Sequence, residues 1–129
     1  MPSNVSGDIE VKDVVFAYPT APDHLVCKGY TLSIAAGQTV ALSGASGSGK
    51  STIIQLIERF YDPQSGCITL DGVDLKSLNV RWLRQQLGLV SQEPVLFMGS
   101  VAENIRYGKR NATQGEIEEA ARSANAYDF

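Results

Sequence analysis

The most informative stretch of this sequence is Gly44-Ala-Ser-Gly-Ser-Gly49-Lys50-Ser51, which matches the phosphate-loop pattern G-x-x-x-x-G-K-[ST]. Its glycines let the backbone curl until successive N–H groups point inward, and a helix that follows adds the positive end of its dipole. The pattern assigns Lys50 to the β- and γ-phosphates of a nucleotide and the Ser51 hydroxyl to Mg²⁺. Thr52 adds a hydrogen bond near the α-phosphate.

The segments that flank this loop give the motif the context it requires. Residues 39–42, Thr-Val-Ala-Leu, form a short apolar run that is typical of a strand buried on both faces. The segment after the loop has an apolar stripe at i, i+3, i+4 and i+7, formed by Ile53, Leu56, Ile57 and Phe60. Strand, glycine loop and amphipathic helix in this order predict an α/β fold.

Signals for other elements continue on both sides of the loop. Strands are predicted at residues 9–16 and 30–34, a hairpin with an Asp71-Gly72 turn at 67–75, and a second buried strand at 87–90. Asn79 is a predicted N-cap for a helix over 80–86. The pairs Ser100/Glu103 and Thr113/Glu116 have the spacing of capping boxes and predict two later helices. Residues 1–7, which are small and polar, are expected to form a loose lead-in.

Composition limits the classes of function. A chain of 129 residues has room for one small domain, and its net charge of -3 supplies no basic surface for nucleic acid. The two cysteines, Cys27 and Cys67, have neither metal-site nor redox-motif spacing, which favours a reducing, cytosolic compartment. Apolar runs are far shorter than the roughly 18 residues that a membrane span needs.

Several more segments occur in the same order as in the ATP-binding cassette family. They are Phe16-Ala-Tyr-Pro19, Phe60-Tyr-Asp-Pro63, Ile68-Thr-Leu-Asp-Gly72, Leu83-Arg-Gln-Gln86, Val90-Ser-Gln-Glu-Pro94, Leu96-Phe97 and Val101-Ala-Glu-Asn-Ile105. Over residues 8–129 the chain resembles the exporter subfamily that includes the multidrug P-glycoproteins. The resemblance implies a P-loop NTPase fold with a RecA-like core, an antiparallel β-subdomain and the start of an α-helical subdomain.

The resemblance also implies roles for single residues. Tyr18 matches the A-loop aromatic that stacks on adenine, although its structural alternative is an ordinary tyrosine at a strand end. Gln92 resembles the Q-loop glutamine, which ligates Mg²⁺ and helps to place the attacking water; its alternative is a plain surface glutamine. The expected ATP-binding residues are Tyr18, Gly44, Ala45, Ser46, Gly47, Ser48, Gly49, Lys50, Ser51 and Thr52. Lys50 and Gln92 are the expected catalytic residues, and Ser51 and Gln92 the expected Mg²⁺ ligands.

Partners follow from the same resemblance. In this family a cytoplasmic coupling helix of the membrane domain docks beside the Q-loop, so residues 92–97 are candidate contacts at the cytoplasmic face of a membrane. Leu96 and Phe97 look exposed, although Phe97 fits a core position equally well. A second nucleotide-binding domain is the other expected partner, in a head-to-tail dimer.

The sequence lacks the Asp-Glu run of Walker B, the signature motif and the D-loop. It also lacks the switch histidine, because its only histidine, His24, lies near the adenine side. We therefore expect residues 8–129 to be the N-terminal half of a cassette that binds Mg-ATP but hydrolyses it negligibly by itself. Its parent would couple ATP hydrolysis to export. The alternative is a stand-alone nucleotide-binding or regulatory module. Asp71 is interpreted as a turn residue and not as a catalytic acid.

Overall fold

The computed structural model describes residues 4–128, which divide into two units, one up to Leu89 and one from Val90. The first unit contains, in chain order, β1 (Ile9–Ala17), β2 (Leu25–Ile34), α1 (Lys50–Ile57), β3 (Ser65–Leu70), β4 (Val73–Asp74), a 3₁₀ turn (Leu75–Ser77) and α2 (Val80–Gln86). The second contains α3 (Val101–Arg106) and α4 (Gln114–Ser123). In the described part of the chain, no helix combines the length and the apolar character that crossing a bilayer requires.

The four strands form one antiparallel sheet in the order β2-β1-β3-β4. β1 lies inside this sheet and buries Val11, Val14 and Phe16 on its core side. The predicted strand at 9–16 is confirmed, and the one predicted at 30–34 is the second half of β2, which begins at Leu25.

The hairpin of β3 and β4 has the predicted two-residue turn. Asp71 and Gly72 both have positive φ, 49° and 77°, as the turn that suits the strand twist requires. The Asp71 carboxylate also accepts hydrogen bonds from the backbone N–H groups of Ser6, Gly7 and Asp8. These bonds, led by that of Asp8, lower the pKa of Asp71. The end of the lead-in predicted at 1–7 is thus tied to the hairpin, whereas residues 1–3 lie outside the described residues.

Helix α1 packs on the sheet through the predicted apolar stripe. Ile53 and Leu56 are each 1% exposed and belong to a core that includes Leu83 of α2. Phe60 leaves the stripe, because the helix ends at Ile57 and Arg59 turns the chain with a φ of 53°. The Phe60 ring is exposed and lies under the Arg84 guanidinium.

The predictions of buried strands at residues 39–42 and 87–90 are wrong. Both segments are irregular, Val40 is 36% exposed and Val90 is 98% exposed. A strand of this kind is stable only where neighbouring strands pair with its backbone and other elements cover both faces. Among residues 4–128, the four-stranded sheet pairs with neither segment.

The local signals for helix starts are confirmed. The Asn79 side chain accepts from the N–H of Trp82 at the start of α2. Both predicted capping boxes form, Ser100 with Glu103 at α3 and Thr113 with Glu116 at α4. Each box satisfies N–H groups that a helix start would otherwise leave without partners.

The hydrogen bonds that Glu116 accepts make the stability of α4 depend on pH. The hydrogen bond from Lys109, with that from the Thr113 N–H, lowers the pKa of Glu116 from 4.5 to about 2. Because the folded pKa lies below the unfolded one, this stabilisation is complete above about pH 4.5 and is lost as the pH falls towards 2. We predict that Glu116→Gln, which keeps the box, flattens the loss of far-UV circular dichroism between pH 5 and 2.

The control is Glu119→Gln, which removes the same charge from an exposed position of α4. It should follow the wild-type acid profile. An identical profile for Glu116→Gln and the wild type would contradict the prediction.

Candidate functional site

The end of the glycine loop packs against the start of β2. Gly49 has a φ of 87°, and a Cβ at this position would lie 3.2 Å from Val26 Cγ1 and 3.3 Å from the Val26 carbonyl oxygen. Cys27 Sγ would lie 3.8 Å from the same Cβ. Two consecutive residues of β2 reach Gly49 because the pairing of β1 with β2 shifts register at Phe16 and Ala17. The positive φ therefore favours glycine at position 49, and a larger residue would also press on Val26.

Helix α1 begins without a side-chain cap. Its N-cap residue is Gly49, and its first turn contains no acidic residue. The other α-helices in the described residues each have a side chain that accepts from their first turn, on Asn79, Ser100 and Thr113. The first N–H groups of α1 and its positive dipole end thus suit an anion supplied from outside the chain.

The Lys50 ammonium group lies inside the loop. It donates to the carbonyl oxygens of Gly44 and Ala45, both at 2.7 Å, and to Ser48 Oγ at 3.2 Å. These oxygens hold a positive charge within the curl of the backbone. A phosphate oxygen that enters the loop can take the place of one of them as a stronger, charged acceptor.

Tyr18 lies at the end of β1 and is joined to α1 through its hydroxyl. That oxygen lies 2.8 Å from Thr52 Oγ1 and 2.9 Å from Gln55 Oε1, to which it donates. The ring makes edge-to-face contacts with Phe16 and Tyr61, at centroid distances of 5.1 and 5.3 Å. Hydroxyl and ring contacts together fix the orientation of Tyr18.

These residues share one cleft of about 460 Å³. Its lining residues are Tyr18, His24, Val26, Ser46, Gly47, Ser48, Gly49, Lys50, Ser51 and Thr52. The structure therefore brings Tyr18 together with most of the predicted loop residues, while Gly44 and Ala45 form the start of the loop and bind the Lys50 ammonium group. Val26 was missed by sequence reasoning, since only the contact with Gly49 reveals it.

The predicted Mg²⁺ ligands differ in how the structure places them. Ser51 is exposed in the first turn of α1 and lines the cleft. Gln92 is exposed in an irregular segment of the second unit, so its role rests on the resemblance. Within residues 4–128, no group of three His, Cys, Asp or Glu side chains could hold a metal ion. One hydroxyl fits Mg²⁺, which is commonly held by few protein ligands together with water and substrate phosphates.

The second unit has an apolar groove of about 490 Å³ beside α3. Leu96 is 82% exposed, and the half-exposed Phe97 stacks on Tyr107 at a centroid distance of 4.4 Å. The Asn104 amide group accepts from the N–H of Phe97 and donates to its carbonyl oxygen, at 2.8 and 3.0 Å. Of the two positions considered for Phe97, the surface position is the one the structure shows.

Comparisons with known proteins agree on one family. The family model described as "ABC transporter" matches residues 27–129. "ABC transporter B family member 3" of Dictyostelium discoideum is 61% identical over 128 residues, and "ABC transporter B family member 1" of Arabidopsis thaliana is 60% identical over 126. A solved bacterial Atm1-family ABC exporter with ATP bound matches all of this chain with a TM-score of 0.92 and 40% identity.

The chain is similar to a small part of each relative. It covers 9% of the Dictyostelium protein, 10% of the Arabidopsis protein and 22% of the bacterial exporter chain. The predicted α/β P-loop NTPase fold and the predicted exporter resemblance are confirmed by these matches. They do not support the alternative of a stand-alone module.

The contacts of Tyr18 predict a measurable contribution of its hydroxyl to stability. Thr52 is 4% exposed, so Tyr18→Phe leaves a buried hydroxyl without this partner and should lower the free energy of unfolding by about 0.5–1.5 kcal/mol. Tyr30→Phe is the matched control, because the Tyr30 hydroxyl makes no hydrogen bond with residues 4–128. Urea unfolding of both variants measures the difference, and equal effects would contradict the assignment.

Proposed function

The chain belongs to the ABC transporter family, and from this premise we propose that the cleft beside the glycine loop binds ATP together with Mg²⁺. The observation that carries the proposal is the uncapped start of α1, which lies in one cleft with the Lys50 ammonium group and the fixed Tyr18 ring. A structure described as having ATP bound, with a TM-score of 0.92 to this chain, supports it.

The phosphate end of the nucleotide lies at the first turn of α1. Backbone N–H groups of the loop and of that turn donate to phosphate oxygens, and the helix dipole favours their negative charge. Lys50 exchanges its bonds to the Gly44 and Ala45 carbonyl oxygens for bonds to phosphate. Ser46, Gly47 and Ser48 lie along the wall that the phosphates follow.

The adenine end lies against Tyr18. Stacking uses a ring that Phe16 and Tyr61 already contact and whose hydroxyl is already bonded to Thr52. Since the ring is oriented before the base arrives, little side-chain entropy is lost on binding. An aromatic face reads no base edges, so this contact gives affinity with little base selectivity.

Ser51 and Gln92 are the proposed Mg²⁺ ligands. Mg²⁺ supplies charge neutralisation at the β- and γ-phosphates. Ser51 offers its hydroxyl from the start of α1, and Gln92 would add an amide oxygen and help to orient the attacking water. Hydrolysis further requires Walker B and signature groups that this sequence does not contain, so we propose nucleotide binding with negligible turnover for this chain.

In a complete transporter, the proposed role is to couple ATP hydrolysis to export at the cytoplasmic face of a membrane. The apolar groove at Leu96, Phe97 and Tyr107 suits a coupling helix of the transmembrane domain, because it offers exposed apolar side chains on a segment braced by Asn104. A second nucleotide-binding domain, arranged head to tail, is the other proposed partner.

Substitution of Lys50 tests the proposal directly. Lys50→Ala removes the charged donor of the loop and should weaken Mg-ATP binding by about ten- to a hundredfold. Isothermal titration calorimetry of the full chain measures this effect. Far-UV circular dichroism checks that the variant stays folded after losing the loop contacts of Lys50.

The matched control is Lys28→Ala, which removes the same charge from an exposed position of β2 outside the cleft. It should bind Mg-ATP as the wild type does. An equal loss of Mg-ATP affinity in both variants would show that only net charge matters, which contradicts the role of Lys50. A wild-type chain without saturable ATP binding would overturn the proposed function.

A further inference from the structure

One side chain in the nucleotide cleft has no part in the chemistry described so far. His24 lines the cleft together with Tyr18 and the loop residues Ser46 to Thr52. The resemblance assigns it no role, since the switch histidine of the family belongs much further along the chain. The sequence places His24 near the adenine side, and the structure adds that it lines the cleft.

The backbone that carries His24 is fixed at both ends. The N–H of Ala21 donates to the Tyr18 carbonyl oxygen at 2.9 Å, and the N–H of His24 donates to the Ala21 carbonyl oxygen at 3.0 Å. Immediately after His24 the chain enters β2, where Val26 contacts Gly49. Two successive turns and a strand start thus hold His24 at the rim of the cleft.

The imidazole itself is available for a ligand. His24 is exposed, and its side chain makes no hydrogen bond with any residue from 4 to 128. A neutral imidazole offers one donor and one acceptor. The cleft therefore contains hydrogen-bonding capacity that the protein does not use internally.

We propose, on the basis of the proposed ATP site, that His24 is a nucleotide-contacting residue that hydrogen-bonds the nucleoside part of ATP. The turns join His24 to Tyr18, the proposed adenine contact, while the phosphates are taken by Lys50 and the first turn of α1. His24 adds a directional polar contact where Tyr18 offers only an aromatic face. A polar contact of this kind discriminates between ligands, because a ligand that lacks the matching group leaves the polar group of the protein unpaired.

The experiment compares two ligands, Mg-ATP and magnesium tripolyphosphate, by calorimetry on the full chain. His24→Ala should weaken Mg-ATP binding about three- to tenfold, the effect of one hydrogen bond, and leave tripolyphosphate binding unchanged. His24→Asn, which keeps a donor and an acceptor, should recover part of the loss. Thr20→Ala is the control, because Thr20 is exposed in the same loop and does not line the cleft.

Three results would overturn the inference while the ATP site stands: His24→Ala binding Mg-ATP like the wild type, equal losses for Mg-ATP and tripolyphosphate, or an equal loss in Thr20→Ala. In each of them Lys50→Ala still weakens both ligands. A wild-type chain that binds neither ligand would instead overturn the proposed function, and the inference with it.

Discussion

The first N–H groups of a helix need acceptors from side chains, water or a ligand, and α1 has no side-chain cap. The N-cap residue is Gly49, which has no side chain to act as a cap. Val26 of β2 lies so close that a Cβ on residue 49 would be only 3.2 Å from Val26 Cγ1. The same approach fixes the loop on the sheet, and the apolar side of α1 then buries Ile53 and Leu56. The packing that stabilises the first unit thus also leaves the start of α1 without a side-chain cap.

The proposed ATP site uses two distant parts of the chain. Tyr18 and Thr52 are 34 residues apart in sequence and are joined by a 2.8 Å hydrogen bond between their hydroxyls. This bond fixes Tyr18, the proposed adenine contact, relative to the helix whose start is proposed to receive the phosphates. In this proposal, ATP binding requires few conformational changes of the first unit. The main local change is that Lys50 exchanges its hydrogen bonds to carbonyl oxygens for hydrogen bonds to phosphate oxygens.

The sequence predicts features that neighbouring residues determine better than features that need distant parts of the chain. The capping boxes and the Asp71-Gly72 turn are decided within a few residues, and for each of them the structure agrees with the prediction. The strands at 39–42 and 87–90 failed because a strand needs partners, which residues 4–128 do not give them. Asp71 binds N–H groups more than 60 residues away in sequence, at Ser6, Gly7 and Asp8, and no periodicity or spacing shows such a contact.

Backbone amide NMR of the full chain during a Mg-ATP titration tests whether the uncapped start of α1 receives the phosphates of ATP. We expect saturable shifts of the amide signals of residues 46–52. The first turns of α2, α3 and α4, which have side-chain caps, should change little. Unchanged signals at residues 46–52, or equal shifts at the capped helix starts, would show that the phosphates do not bind at the start of α1.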